Sequence, residues 1–179
     1  MNVKSGELFA IRGTPGIWFG CIAVMGLVSW VCYGGVTDHL LDTHDDQGFR
    51  DNVAISQDFS HFFSTQKEHQ SGRPVAELAK WLFYVARGND PFWFHSLVIA
   101  LHTLASFRLA RTAWKLGSNL ETSIAGGFLF LANVTHFQAV HHISALDYPL
   151  SLICGLVGVQ CYLHFRREQG VARLALFYV

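Results

Sequence analysis

The stretch GIWFGCIAVMGLVSWVCYGGV, from Gly16 to Val36, contains no charged side chain. A helix that crosses the hydrocarbon core of a bilayer needs roughly 20 mainly apolar residues, and this run supplies them. A cleaved leader is the competing reading. The run is long for a leader's apolar core, and no small-x-small cleavage pattern follows it, so it reads as a retained span. The rest of the chain agrees. Of its 179 residues 51% are hydrophobic and 14% aromatic, with a mean hydropathy of +0.27, a composition that points to a membrane protein.

Outward from this span the pattern repeats. A second span opens at Pro91, which suits the first turn of a helix, and covers residues 91–113 before Arg108, Arg111 and Lys115 form a basic end. Asn119 and Glu121 mark a capped start for a third, 120–136, which runs into the polar stretch THFQAVHHISALD. That stretch is expected to line a cavity or interface, because irregular polar backbone is not tolerated against lipid. A fourth span covers 147–165 and a fifth starts near 171. The expected fold is therefore an all-α polytopic membrane bundle. A fifth span cut short at Val179 suggests the N-terminal part of one transmembrane domain in a longer polypeptide.

Charge sets the orientation. The formal net charge is zero, which excludes a strongly basic nucleic-acid binder. With a cytoplasmic N-terminus, the inner side holds Lys4, Arg12, Arg108, Arg111, Lys115, Arg166, Arg167 and Arg173 against only Glu7, Glu121 and Glu168. By the positive-inside rule the 37–90 loop is then periplasmic or lumenal, and the expected setting is a bacterial inner membrane. Trp18, Trp30, Trp93 and Trp114 fall near span ends, as interfacial aromatics do. Gly16/Gly20 and Ser123/Gly127 have the spacing of close helix contacts. Cys21, Cys32, Cys154 and Cys161 lie in apolar runs without a CxxC pair and read as small buried side chains.

The 37–90 loop is too long for a simple connection, and such loops are usually functional. In PVAELAKWLFYVARG the residues Val75, Leu78, Leu82, Val85 and Ala86 form one apolar stripe, with Glu77, Lys80 and Arg87 off it. This predicts a helix lying along the membrane surface. HDDQGFRDN, His44 to Asn52, puts acids beside that helix, where partial desolvation would make them functional candidates.

The order HDDQGFRDN, DFSHFFS, GRPVAELAKWLFY, GNDPFWFH, followed by SLVIALHTLASFRLARTAWKL, IAGGFLFLANVTHFQAVHHIS and LICGLVGVQCYLHFRR, resembles the N-terminal part of GT-C-fold membrane glycosyltransferases. The resemblance is to their protein O-mannosyltransferase-like branch and covers about residues 15–179. It implies an acidic pair at Asp45 and Asp46, and substrate contacts at Asn52, Arg73, His95 and His136. Where many relatives read His-Pro-x-His-x-Glu-Ala-Val-Ala, this chain has NVTHFQAVH, so His136 is kept and the Glu is Gln138.

The implied reaction is inverting transfer of a sugar from a polyprenyl-phosphate donor to a protein or glycolipid hydroxyl on the external face. A phosphate leaves as a stable anion, so it needs a cationic cradle, for which Arg73 is the candidate, more than a strong acid. The attacking hydroxyl needs one carboxylate within hydrogen-bond reach, Asp45 or Asp46. His95 and His136 are the candidates for hydrogen bonds to sugar or phosphate. No cofactor is expected, a divalent cation on the aspartate pair being the alternative. His95 and His102 share a face but lie about 10.5 Å apart along the axis, too far to share one ion. A silent accessory subunit of a larger membrane complex is the competing function. A transporter is disfavoured, since no charge falls mid-span.

Overall fold

The computed structural model describes residues 15–38, 74–88, 90–133 and 140–174. Among them lie α1 (Pro15–Tyr33), α2 (Pro74–Arg87), α3 (Pro91–Lys115), α4 (Leu120–Leu131) and α5 (Asp147–Leu174), with 3-10 turns at Gly34–Asp38 and Ile143–Leu146. No strand occurs among the described residues. Three segments, Pro15–Asp38, Pro91–Lys115 and Asp147–Arg166, are long and apolar enough to cross a membrane. The chain is an all-α membrane helix bundle.

Local chemistry fixes the helix starts. Asp90 is extended and its side chain accepts from the Phe92 backbone N–H at 3.0 Å, while Pro91 occupies the first turn, where its missing N–H costs nothing. Asn119 caps α4 in the same way, accepting from the Thr122 N–H at 2.7 Å. Between α3 and α4 the chain turns back through Gly117, whose φ of +107° lies in the region that disfavours any side chain.

Two elements differ from the sequence expectation. The helix expected over 120–136 ends at Leu131; its 12 residues span about 18 Å, well short of the ~30 Å hydrocarbon core. At the other end α5 continues to Leu174 with no break before 171, where a fifth span was expected to start. Arg, Glu and Gln in RREQ are good helix formers, no proline follows, and Gly170 alone costs only about 1 kcal/mol, which is too little to end a helix.

The central element is α3, which packs on α1, α4 and α5. Toward its C-terminal end, Trp18, Cys21 and Met25 of α1 meet Ala110 and Leu131. Toward its N-terminal end, Tyr33 meets Val98, Ile99, Val140 and Leu146. Several hydroxyls inside this packing are satisfied locally. The hydroxyls of Thr103, Ser106 and Thr112 donate back to the carbonyls of Ile99, His102 and Arg108 at 2.8 Å each. The Ser29 and Thr103 hydroxyls also hydrogen-bond to each other at 2.7 Å, joining α1 to α3. At the far end, Gln160 of α5 takes the Arg108 Nη1 at 3.3 Å and donates to the Thr112 hydroxyl at 2.8 Å.

Of the two small-residue pairs only one is a contact. Gly127 lies where α4 presses on α1 and α3; a Cβ there would meet Met25 Cε at 2.7 Å, Ala110 Cβ at 2.9 Å and the Ser106 carbonyl oxygen at 3.0 Å. Ser123, one turn earlier, is also buried. Gly16 and Gly20 have open space in that direction, so their spacing serves no helix contact within the described residues. Gly127→Ala is expected to destabilise the bundle by about 1–3 kcal/mol, since two of its three neighbours are rigid, while Gly16→Ala and Gly20→Ala change stability little. Unfolding midpoints of the three variants in one detergent provide the comparison.

Candidate functional site

The end of α1 and the Ile143–Leu146 turn converge with the starts of α3 and α5 at one end of the bundle, and α4 ends below them against Tyr33 and His102. Polar groups gather there that have no counterpart in an ordinary apolar core: Tyr33, Thr37, His95, His102 and Asp147 are all buried, and His141 and His142 are half-buried with their rings edge to face at 5.4 Å.

The geometry begins with the end of α4. A helix leaves its last carbonyls without intrahelical partners, and inside a membrane water does not replace them. The Leu131 carbonyl accepts from the Tyr33 hydroxyl at 2.8 Å, and His102 Nε2 stands 3.3 Å from the same oxygen. A carbonyl only accepts, so His102 uses its Nε2–H tautomer in this bond. The His102 ring is held by Phe130, stacked at 5.5 Å and 30°, and by Tyr33, edge-on at 5.7 Å and 89°. At 1.5 Å per residue His102 lies about 16 Å below the Pro91 end of α3, near mid-membrane depth. The short helix therefore ends deep in the bundle, on two donors from two other helices.

Above this point α2 lies against the start of α3. Its protein-facing side carries buried Ala76 and Lys80, with Trp81, Phe83 and Tyr84 around Phe94. The predicted apolar stripe faces away from the protein: Val75 is 67% and Val85 64% exposed, and Leu82 joins them. An exposed apolar stripe on a short helix beside spanning helices is the arrangement of a helix seated on the membrane surface. Lys80 is unexpected. Read as part of a polar outer face, it is instead 5% exposed on the inward side, 4.0 Å from Glu77. Its only sequence signal is its placement one turn after Ala76, the small residue that lets α2 approach.

The sequence-derived site residues divide accordingly. His95 belongs to this end: it sits on the inward face of α3's second turn, 2% exposed, with both ring nitrogens shielded from solvent. Asp45, Asp46, Asn52, Arg73 and His136 lie outside the described residues. Gln138 does too. Among the described residues no group of three His, Cys, Asp or Glu side chains is arranged to hold a metal ion. Three groups that sequence reading passed over are brought in by the fold. In the sequence Tyr33 lies in an apolar run, His102 stands out only by its spacing from His95, and Asp147 marks a span start.

The tryptophans also sort differently. Trp30 and Trp93 are exposed near the polar end, Trp93 under the Arg87 guanidinium at 4.3 Å, as interfacial side chains should be. Trp18 is not an exposed side chain like these: it is buried between α1 and α3, 5.8 Å from Phe107 and 5.5 Å from Trp114. Of the four cysteines only Cys21 is buried; Cys32, Cys154 and Cys161 are exposed on helix faces directed away from the bundle.

Comparison with known proteins adds a distant relationship. The chain is 30% identical over 100 residues to a protein O-mannosyl-transferase of Drosophila melanogaster, Tmtc1, covering 56% of this chain and 11% of the relative. It is 32% identical over 108 residues to a second, Tmtc2, covering 59% of this chain and 12% of that one. The chain thus spans about one ninth of the length of the curated relatives it matches. No protein-family profile matches it, and no solved structure does. Both relatives are animal proteins, so they lend no support to a bacterial inner membrane.

Because Tyr33 and His102 serve one acceptor, their losses should not add. Tyr33→Phe or His102→Leu alone is expected to cost about 0.5–1.5 kcal/mol, since one donor remains. The double variant should lose clearly more than the sum, as the carbonyl is then orphaned in a dry site. A double-mutant cycle on unfolding in lipid nanodiscs reads the difference.

Proposed function

We propose that the chain forms the N-terminal membrane portion of a glycosyltransferase that moves a sugar from a polyprenyl-phosphate donor to a hydroxyl of a protein acceptor on the external face of the membrane. The observation that carries this reading is the 30–32% identity, over more than half of the chain, to two proteins named as O-mannosyl-transferases. Mannose is accordingly the first sugar to test. The buried polar end of the bundle supports the reading, since a hydrophilic substrate needs hydrogen-bonding groups next to lipid-embedded helices to receive it.

In this mechanism the donor's prenyl chain stays in the bilayer while its phosphate meets Arg73, the residue before Pro74 in the sequence. Asp45 or Asp46 accepts the proton of the attacking hydroxyl as the new glycosidic bond forms and the bond from the anomeric carbon to phosphate breaks; the lipid phosphate departs as an anion. An aspartate, with an ordinary pKa of about 3.9, takes that proton late, as positive charge develops on the sugar. His95, Asn52 and His136 serve as hydrogen-bonding partners of sugar or phosphate. No cofactor enters this scheme. A cation held by the aspartate pair is the variant to exclude by chelation. The external face is lumenal in a eukaryotic secretory membrane, following the animal origin of both relatives.

A silent accessory subunit is the second reading, favoured by Gln138, where many relatives carry a glutamate. The two separate in one assay. In membranes containing the folded, longest polypeptide that includes this chain, sugar transfer is expected to fall about 10²–10⁴-fold in Asp45→Asn or Asp46→Asn. Full activity in both variants overturns the aspartate assignment, and no transfer by the wild type favours the subunit. Arg73→Gln is expected to raise KM for the lipid donor more than it lowers kcat.

A further inference from the structure

The opposite end of the bundle carries a second site. Between the first turns of α1 and the last turns of α3 lies a cleft of about 340 Å³, walled by Trp18, Phe19, Ile22, Phe107, Arg111 and Trp114. Two hydrogen-bond donors in this lining are buried without an acceptor: the Trp18 indole Nε1–H and the Arg111 Nε–H. The Arg111 guanidinium carbon stands 5.2 Å from the Trp18 ring and 6.0 Å from the Phe107 ring. Aromatic faces hold the cation in place but give its N–H groups no oxygen. Arg108, less than a turn earlier, also has a buried Nε without an acceptor, but Gln160 takes its Nη1 in a network with Thr112, outside the lining of this cleft.

A buried donor without an acceptor costs on the order of 1–3 kcal/mol, and a charged one more, so two in one cleft create a demand for an acceptor-rich anion. The cleft also fixes what the anion is attached to. Pro15 is the first residue of α1, so Trp18 lies about 5 Å inside the helix start, at headgroup depth for a spanning helix. Phe19, 74% exposed, and Ile22 continue the wall toward the membrane interior. A group that is anionic at one end and hydrocarbon at the other fits both parts.

We propose that this cleft binds one anionic phospholipid, its phosphate accepting from Arg111 Nε and Trp18 Nε1 and its acyl chain lying along Phe19 and Ile22. The site is separate from the polar end and does not depend on sugar transfer. It would tie the basic end of the bundle to a negatively charged leaflet, and so set the depth of the bundle against the ~30 Å core.

The test is lipid retention by the full purified chain, read by native mass spectrometry after exchange into mixtures of phosphatidylglycerol and phosphatidylcholine. Wild type should retain the anionic lipid about tenfold over the zwitterionic one. Arg111→Gln should lower that preference about tenfold, Trp18→Phe about threefold, and Lys115→Gln, which removes a nearby charge outside the cleft, less than twofold. Should Arg111→Gln fail to fold, Arg111→Lys and quenching of tryptophan fluorescence by phosphatidylglycerol with brominated chains read the same site. Equal retention of both lipids, or a preference unchanged in Arg111→Gln and Trp18→Phe, overturns the proposal. So does displacement by millimolar inorganic phosphate, which would mark a site for the free ion. A several-fold rise in retention on deleting residues 2–14 also overturns it, since the chain's own N-terminus would then be the native occupant.

Discussion

The organisation of this bundle depends on one carbonyl. Leu131 ends a helix of 12 residues inside a protein whose other long helices cross the membrane, and an unsatisfied helix end at that depth costs several kcal/mol. Tyr33 from α1 and His102 from α3 meet that oxygen. Everything around it follows the same requirement. Gly127 lets α4 approach closely enough for the bonds to form, Met25 and Ala110 fill the space beside it, and Phe130 holds the imidazole ring in register.

Ending a helix early has a consequence for function. Leu131 ends α4 beside an end of the bundle that contains Tyr33, His95, His102 and Asp147 in buried positions. The buried Lys80 on the underside of α2 belongs to the same logic: a cation 4.0 Å from Glu77, covered by a helix whose outer stripe is apolar. The proposed sugar transfer would give these costly groups a purpose that packing alone does not.

Much of the architecture was legible in the sequence because its signals are local. Asp90-Pro91 and Asn119 announce helix starts, and the period of Val75, Leu82 and Val85 announces a surface helix with its apolar side outward. What failed were inferences that need a partner. The spacing of Gly16/Gly20 and Ser123/Gly127 is the same, yet only the second pair faces another helix, and nothing in one strand of sequence says which. Trp18 and Trp30 both lie near span ends, but only tertiary packing puts Trp18 between Phe107 and Trp114. The sequence reading makes α4 longer than observed because no glycine or proline follows Leu131 to mark the stop, and the bonds that satisfy its last carbonyl come from Tyr33 and His102 on other helices. Of the proposed catalytic set, His95 is the member that the described structure positions; Asp45, Asp46, Asn52, Arg73 and His136 rest on motif order alone.

The most direct measurement is isotope-edited infrared spectroscopy of the full chain carrying a single 13C=18O label at the Leu131 carbonyl, in lipid nanodiscs. Two hydrogen bonds shift the amide I band of that carbonyl to lower frequency, so the band should move up in Tyr33→Phe, up in His102→Leu, and furthest in the double variant. A band that stays in place in all three, with the variants folded, would contradict the account, because the Leu131 carbonyl would then owe nothing to the two side chains on which the short helix is argued to end.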